Sequence, residues 1–447
     1  MGGKSVTVIG GGIAGMSTAV FLFREGFDVT VLEATHKIGG RAYSFHDEET
    51  GITFDNGQHI LAGWYDNTFE FFSAIGKRPK LRANPNLEVY FREPGGGHYE
   101  FKARGDNPFI AVAKGFLDYH PLTLKDKYHL LSLRELIELD IAERLLKGRN
   151  LDWLLEHLKQ TDNLKKYFWE PFVYAVFNTS PKYVDASIFL NVLVKAFEKY
   201  GNLSLIIPDE TLESLFIEPF LQYAEKRLTI RTSKKAGRFV INEKTITELE
   251  IENGEKIVSD IYVSAVPFHN FPDLFSEKDY EGNFNTPLQF EPASIVSVFV
   301  VPEKMPEGFN DRFYHGMIGL IDTKSHWLFF KKDYICAVIS APEYSVDGYD
   351  KFGNEDICDI VVSEIRESFP EFRDVKFKRV KYFKEKRATF LPTVDSGLNR
   401  PDTECRIENL FIAGDWTNTG LPATIESAVT SGKKCAEHIK RKFESYE

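Results

Sequence analysis

Cysteine is scarce. The 447 residues contain four, Cys336, Cys358, Cys405 and Cys435, with no C-x-x-C pair and no histidine at zinc-finger spacing beside them. That excludes a disulfide framework and a structural zinc site. Long apolar runs are also missing: Leu203-Ser204-Leu205-Ile206-Ile207 stops at Pro208, far short of the roughly 18 consecutive apolar residues of a spanning helix. Any membrane contact is therefore expected to be peripheral. Positive charge is in deficit, with 55 Lys and Arg against 66 Asp and Glu and a formal net charge of −11. Without the basic footprint that phosphate backbones attract, nucleic acid is not an expected partner. From Lys4 the chain enters a strand pattern directly, with no apolar stretch and cleavage site of a secretory signal. The expected location is cytoplasmic, either free or peripheral to the inner face of the cytoplasmic membrane. Neither an internal repeat nor a low-complexity tract is evident.

What is present is an ordinary globular composition, 43% hydrophobic and 14% aromatic, at a length that suits two or three domains around a cleft. A β-branched run at 6–9, a glycine cluster at 10–15, helical apolar spacing over 13–24 and a second β-rich run at 28–32 predict a β-α-β unit. Residues 87–103 predict a hairpin about Pro94-Gly95-Gly96-Gly97, and 107–160 a mostly helical block. A helix over 186–200 has Asp185 as its N-cap and Gly201 beyond its end. Strand character returns at 228–232, 247–251 and 257–266, then at 294–301, 327–330, 335–339 and 409–413, before a last helix over 424–440. The class is α/β. Nucleotide-domain pieces at 1–80, 216–270 and 391–447 are expected to alternate with a helical substrate-domain piece at 81–215 and a sheet piece at 271–390.

Gly10, Gly12 and Gly15 form a G-x-G-x-x-G pattern between the first strand and helix. The first glycine permits a tight turn, the second lets the backbone approach a diphosphate, and the third lets helix and strand pack closely. Ile13 and Ala14 then open a helix whose N-terminus favours the anion. Glu33, followed by Ala34, closes the second strand where a carboxylate can accept hydrogen bonds from both ribose hydroxyls of an adenosine. Gly39-Gly40-Arg41 adds two backbone-exposing glycines and a cation able to neutralise the diphosphate bidentately. Near the other end, Phe411-Ile412-Ala413-Gly414-Asp415-Trp416 ends a buried strand in an acid, and Pro422-Ala423-Thr424-Ile425 opens the final helix. Asp415 suits a sugar-alcohol hydroxyl, and the helix N-terminus suits gathered negative charge. A ligand-free glycine turn, an incidental surface arginine and a plain strand-to-helix connection are the structural alternatives.

Together these elements resemble the FAD-binding fold of flavin amine oxidases, protoporphyrinogen oxidase and carotenoid desaturases. The resemblance implies a Rossmann-like, glutathione-reductase-type domain with an interleaved α+β substrate domain of mixed sheet and helices. It also supplies FAD rather than NAD, with Ala236 giving a backbone contact to the adenine. Further motifs, Phe54-Asp55-Asn56-Gly57-Gln58-His59, Trp169-Glu170-Pro171, Phe177-Asn178-Thr179, Leu205-Ile206-Ile207-Pro208, Arg387-Ala388-Thr389-Phe390 and the block at 409–426, resemble bacterial squalene-associated FAD-dependent desaturases, the hydroxysqualene dehydroxylases. The resemblance is poor at 277–285 and 344–367. Many amine oxidases place a tyrosine of an aromatic cage shortly after the Gly-Asp pair, whereas here Thr417-Asn418-Thr419-Gly420 follows. No cysteine lies between Cys405 and Cys435, so non-covalent FAD is expected, held by Gly10, Gly12, Ile13, Ala14, Gly15, Glu33, Ala34, Gly40, Arg41, Gly57, Gln58, His59, Ala236, Gly414, Asp415, Thr424 and Ile425.

The reaction implied is reductive: hydride from reduced FAD reaches an allylic carbon of a long isoprenoid alcohol of squalene and hopanoid synthesis as its hydroxyl leaves as water. Such a substrate needs an apolar tunnel, one proton donor and a dry pocket. His59 is the first candidate donor, with a structural histidine as the alternative; Glu170 is the second, with a helix cap or ion pair as the alternative. Trp169, Phe172, Phe177, Phe189, Phe197 and Phe216 are tunnel candidates that equally suit ordinary core. Residues 108–134 mix Phe109, Ile110, Phe116, Leu117, Leu130 and Leu131 with Lys114, Lys125, Lys127 and Arg134, fitting either an anionic bilayer or a solvated cap. A carotenoid-type desaturase, a flavin amine oxidase and a non-catalytic flavoprotein are the other classes, and the oligomeric state stays open.

Overall fold

A computed structural model describes residues 3–83, 86–130, 132, 145–284, 290–309 and 316–444. The initial β-α-β unit folds as the strand Ser5–Ile9, the helix Ile13–Arg24 and the strand Asp28–Leu32. Around it grows a five-stranded parallel sheet in the spatial order Thr229–Arg231, Asp28–Leu32, Ser5–Ile9, Ile261–Ser264, Leu410–Ile412. The last two strands are buried at every position, as parallel strands covered on both faces are. The final helix, Ile425–Glu444, packs on Ile13–Arg24. A Cβ on Gly432 would overlap Ser17 Oγ, so a glycine is what lets these two helices touch.

A second sheet has seven strands, ordered Phe377–Phe390, Pro292–Pro302, Ile335–Ser340, Trp327–Phe330, Met317–Leu320, Leu87–Glu93, Gly97–Ala103. Met317–Leu320 and Leu87–Glu93 pair parallel, and the other neighbours pair antiparallel. Because side chains alternate along a strand, this sheet has two distinct faces. Val298, Leu328, Phe330 and Ile335 meet Ile357, Val361 and Ile365 of the helix Asn354–Ser368. On the opposite face Phe299, Trp327, Phe329 and Cys336 join the core that holds Phe54.

The hairpin expected at 87–103 is Leu87–Glu93 with Gly97–Ala103. The helix expected over 186–200 is Ala186–Phe197, with Asp185 Oδ1 accepting from Ser187 N at 2.7 Å as its N-cap. Within 107–160 the helices are Pro108–Asp118, Leu124–His129 and Leu151–His157, and Leu131 and Arg134 lie outside the described residues. The sequence pattern missed Phe377–Phe390. Its lysines and arginines hide the period-2 signal, and the strand lies at the edge of the sheet, where charge guards against pairing with another chain.

Candidate functional site

The three glycines of the first turn are held by different constraints. Gly10 has φ +108°, and a Cβ there would lie 2.7 Å from Ala265 O. A Cβ on Gly15 would overlap Gly10 O itself. Gly12, in contrast, would meet nothing nearer than Gly40 Cα at 3.9 Å. Packing thus requires the outer two, and the middle one keeps an open approach to the backbone. Behind it the helix Ile13–Arg24 has no acidic residue in its first turn and no side-chain cap, so Ile13, Ala14 and Gly15 present an anion-ready N-terminus. Glu33 is aimed from the end of its strand by two backbone donors, Gly11 N at 2.9 Å and Thr35 N at 2.8 Å. Ala34 beside it is exposed. Lys234 N donates to Glu33 O at 2.8 Å, which brings Ala236, at the start of the strand Ala236–Asn242, to the same end of the sheet.

The second glycine pair lies against the first turn. Gly39 N donates to Gly11 O at 2.8 Å, and Gly39 and Gly40 take φ +119° and +58°. Arg41 then reaches Asp415, Nη2 to Oδ1 at 2.8 Å, so the motifs at the two ends of the chain meet beside the Gly39-Gly40 turn. Asp415 is buried, while the Arg41 side chain is 42% exposed. Gly414 is in its turn because Trp416 Nε1 would stand 2.5 Å from a Cβ, and that indole donates to Val266 O. Thr424 caps the final helix by accepting from Ser427 N at 3.1 Å, with Ile425 next in line.

Two supports here escaped the sequence pattern. Buried Arg400 donates to Leu421 O at 2.6 Å and to Asp415 O and Thr419 Oγ1 at 2.9 Å, holding the turn that follows Asp415. Glu426 turns away from its own helix to cap another, accepting from Asn67 N at 3.0 Å and Thr68 N at 2.9 Å at the start of Asp66–Ala74. Charged residues next to a turn look like solvated surface in a sequence; burial, which the sequence does not display, gives these two their work.

Segment 54–59, the end of the strand Ile52–Asp55 and the loop after it, runs under the seven-stranded sheet. Asp55 Oδ1 accepts from Ser44 Oγ at 2.7 Å and Leu212 N at 2.9 Å, and Asn56 Nδ2 donates to Arg41 O at 2.9 Å. Gly57 turns at φ +78°. Among the described residues, buried Gln58 Nε2 makes no hydrogen bond of ordinary length, and the Tyr334 hydroxyl stands close enough to feel it. His59 Nε2 lies 3.3 Å from Asn56 O, and burial holds its pKa below the usual histidine value despite Asp55 nearby. Above this loop Phe54 packs on Phe299, with centroids at 4.4 Å, and edge-on to Tyr334 at 4.9 Å. From there Phe329, Trp327 and Phe91 extend an apolar face.

The other candidates fall elsewhere. Glu170 opens the helix Glu170–Phe177; burial raises its pKa, and its charged neighbours Lys165, Asp322, Asp152 and Asp162 include none of those around His59. Trp169, Phe172, Phe177 and Phe189 pack on one another as a ring cluster, Phe216 packs on Phe72 and Phe197 stacks on Phe109. Asn178, in the left-handed region at φ +52°, donates to Thr389 Oγ1 at 2.9 Å and accepts from Ala341 N at 3.0 Å. Two of the resembling motifs are therefore the two halves of one structural joint.

A family model described as flavin containing amine oxidoreductase matches residues 13–440. Over 97% of this chain and 98% of its own length, the hydroxysqualene dehydroxylase of Zymomonas mobilis is 27% identical. A zeta-carotene desaturase of Synechocystis is 23% identical over 97% of this chain and 96% of its own. Among solved structures, an oxidoreductase from Methanosarcina mazei superposes with a TM-score of 0.73 at 13% identity, covering 97% of this chain and 100% of that one. The residues fit the cofactor of that family: an uncapped helix N-terminus beside open Gly12 for a diphosphate, and the buried Gln58 amide beside Tyr334 for a ring edge.

Proposed function

The chain belongs to the flavin containing amine oxidoreductases, and we propose that within this family it is a reductive dehydroxylase of a long isoprenoid alcohol, hydroxysqualene, bearing FAD without a covalent link. Glu33 and Ala236 would hold the adenosine, Gly12 with the helix N-terminus and Arg41 the diphosphate, Asp415 the sugar alcohol, and Gly57, Gln58, His59, Thr424 and Ile425 the ring. When bound and reduced, that group supplies hydride. A thioether has no local candidate, since Cys405 and Cys435 flank the block and Cys435 is fully buried.

What carries the reading is whole-length likeness to hydroxysqualene dehydroxylases joined to an apolar sheet face over the 54–59 loop. An isoprenoid with one hydroxyl matches such a face, which keeps water from the reacting carbon. His59 is the donor that the sequence resemblance implied. A neutral imidazole whose Nε2 faces a carbonyl is a weak acid for that step, so His59 suits orientation of the ring better. Anaerobic reduction of the purified flavoprotein, addition of hydroxysqualene and mass spectrometry of the extract test the proposal. Return of the oxidised flavin band together with squalene is expected; a flavin that stays reduced with no squalene formed refutes it. Likeness to zeta-carotene desaturase favours one second reading, in which hydride runs from an isoprenoid to oxidised flavin, and desaturated product then appears in the converse assay.

Delivery of so apolar a substrate fits contact with a bilayer at the inner face of the cytoplasmic membrane. Ile110, Leu117, Leu124 and Tyr128 are exposed on Pro108–Asp118 and Leu124–His129, with Lys114 and Lys125 exposed beside them. Among the described residues no helix is long and apolar enough to cross a membrane. Flotation with anionic liposomes is expected to carry the protein upward, and Leu117→Asp with Leu124→Asp to leave it at the bottom. Equal behaviour of the two ends the membrane proposal.

A further inference from the structure

The seven-stranded sheet turns one charged residue toward the 54–59 loop from its central hairpin. Along Trp327–Phe330 the side chains alternate, with Leu328 and Phe330 on the helix-covered face and Trp327 and Phe329 on the face toward the loop. Lys331 is next in that alternation, at the turn where its N–H donates to Tyr334 O at 2.9 Å, and Tyr334 and Cys336 carry the same face along the returning strand. The ring of Tyr334 rests on Phe54, the first residue of the loop that ends in His59. Lys331 is half-buried, and among the described residues its ammonium makes no hydrogen bond or ion pair, Asp55 and Asp209 acting on it only through their charge. A surface lysine has water and a mobile stem; a half-buried, unpaired one beside an apolar face is held there at a cost in solvation.

We infer that Lys331 is the acid that protonates the departing hydroxyl of the substrate. The inference rests on the dehydroxylase reading. The carbon–oxygen bond breaks with its electron pair going to oxygen, which takes a proton from Lys331 Nζ and leaves as water. The carbon gains hydride, one hydrogen with two electrons, and is reduced as the reduced flavin is oxidised; the neutral amine regains its proton from solvent. An ammonium that kept its charge would oppose an allylic cation forming nearby, whereas one that gives up its proton removes that opposition as the cation appears. Asp55, Asp209, Arg82 and Cys336 face Lys331, and His59 lies within reach of its charge. Burial lowers the Lys331 pKa and raises both the Cys336 thiol, to about 12, and the Tyr334 hydroxyl on the same face, which leaves the lysine among these three as the group able to give a proton at neutral pH.

The test is stopped-flow reoxidation of the anaerobically reduced holoenzyme by hydroxysqualene, for the natural chain and for Lys331→Met, Lys331→Gln and Lys331→Arg, each with bound flavin quantified. A loss of about 10²–10⁴-fold is expected for all three, the range removed with a general acid. The natural enzyme should slow about tenfold per pH unit above the Lys331 pKa, and the variants should show no such limb. Rates within threefold of the natural enzyme, or recovery by Lys331→Arg, which keeps a charge it cannot release, overturn the inference. A second readout needs no turnover: trace acetic anhydride with peptide mass spectrometry on the oxidised natural holoenzyme. Lys331 should be shielded by hydroxysqualene and not by squalene; equal labelling with either lipid overturns the inference even if the variants misfold. If the natural enzyme fails to convert hydroxysqualene, the dehydroxylase reading falls and takes the acid with it. Conversion that persists in the variants removes the acid alone.

Discussion

At the scale of single residues, the glycine turn separates two requirements that a motif merges. Gly15→Ala drives a methyl into Gly10 O and is expected to cost about 1–3 kcal/mol of stability or more. Gly12 sits at φ −76°, where alanine is at ease, and its added methyl meets only Gly40 Cα at 3.9 Å. Gly12→Ala should therefore fold with an unchanged melting temperature in the absence of flavin and bind FAD at least tenfold more weakly, because the methyl stands where the diphosphate must approach. Thermal melts of the apoprotein and a fluorescence titration with FAD measure the two effects separately. Equal loss of stability in both variants would mean that Gly12 too is a packing residue. Legibility follows the same division. Gly10, Gly12, Gly15 and Glu33 were readable because their spacing within one β-α-β unit is itself the signal. Lys331 and Arg400 were not, since each acts through a fold-level contact, Lys331 under a hairpin turn that reads as solvated and Arg400 against a loop reached only after the chain closes.

At the scale of elements, charge conceals structure in both directions. The edge strand Phe377–Phe390 looks like a polar linker until its pairing with Pro292–Pro302 is seen, and the acid that opens the final helix looks like a dipole-matched first-turn glutamate. Instead the Glu426 carboxylate satisfies the N-terminus of Asp66–Ala74, accepting from Asn67 N, Thr68 N and Thr68 Oγ1. Removing it leaves buried N–H groups without acceptors, so Glu426→Ala is expected to lose about 1–3 kcal/mol. Glu426→Gln, which keeps one acceptor oxygen, should lose less. Urea titration of the FAD-saturated proteins compares them, and a Glu426→Ala midpoint equal to that of the natural chain would show that water satisfies this helix end equally well. The apolar elements, by contrast, were legible where period and cap agree, as for Ala186–Phe197 behind Asp185.

At the scale of the whole molecule, segment 54–59 is held under the seven-stranded sheet because the short antiparallel ladder of Ser44–Asp47 with Ile52–Asp55, which leads into it, is tied to that sheet. Part of that tie is a polar clasp to the edge strand Phe377–Phe390. Lys381 Nζ meets Asp47 Oδ1 at 2.7 Å, Arg379 Nη1 meets Glu49 at 2.6 Å, and Asn56 Nδ2 donates to Glu385 at 3.3 Å. Hydrogen bonds from Lys381 and then Thr50 hold the Asp47 carboxyl at about 2, below the ordinary aspartate range. A carboxyl depressed on folding contributes stability that is complete above its unfolded value, about 3.9, and that disappears as the pH falls toward 2. Lys381→Met returns Asp47 toward its ordinary range, so the variant should melt below the natural protein at pH 7, and the gap should begin to narrow below about pH 5 and close only toward pH 2. Melting temperatures of the two proteins across that interval, at fixed salt and saturating FAD, decide the point. A gap that stays constant with pH would assign the loss to the Lys381 ammonium's contact with the Phe45 ring, 5.3 Å from its centroid, rather than to its bond with Asp47.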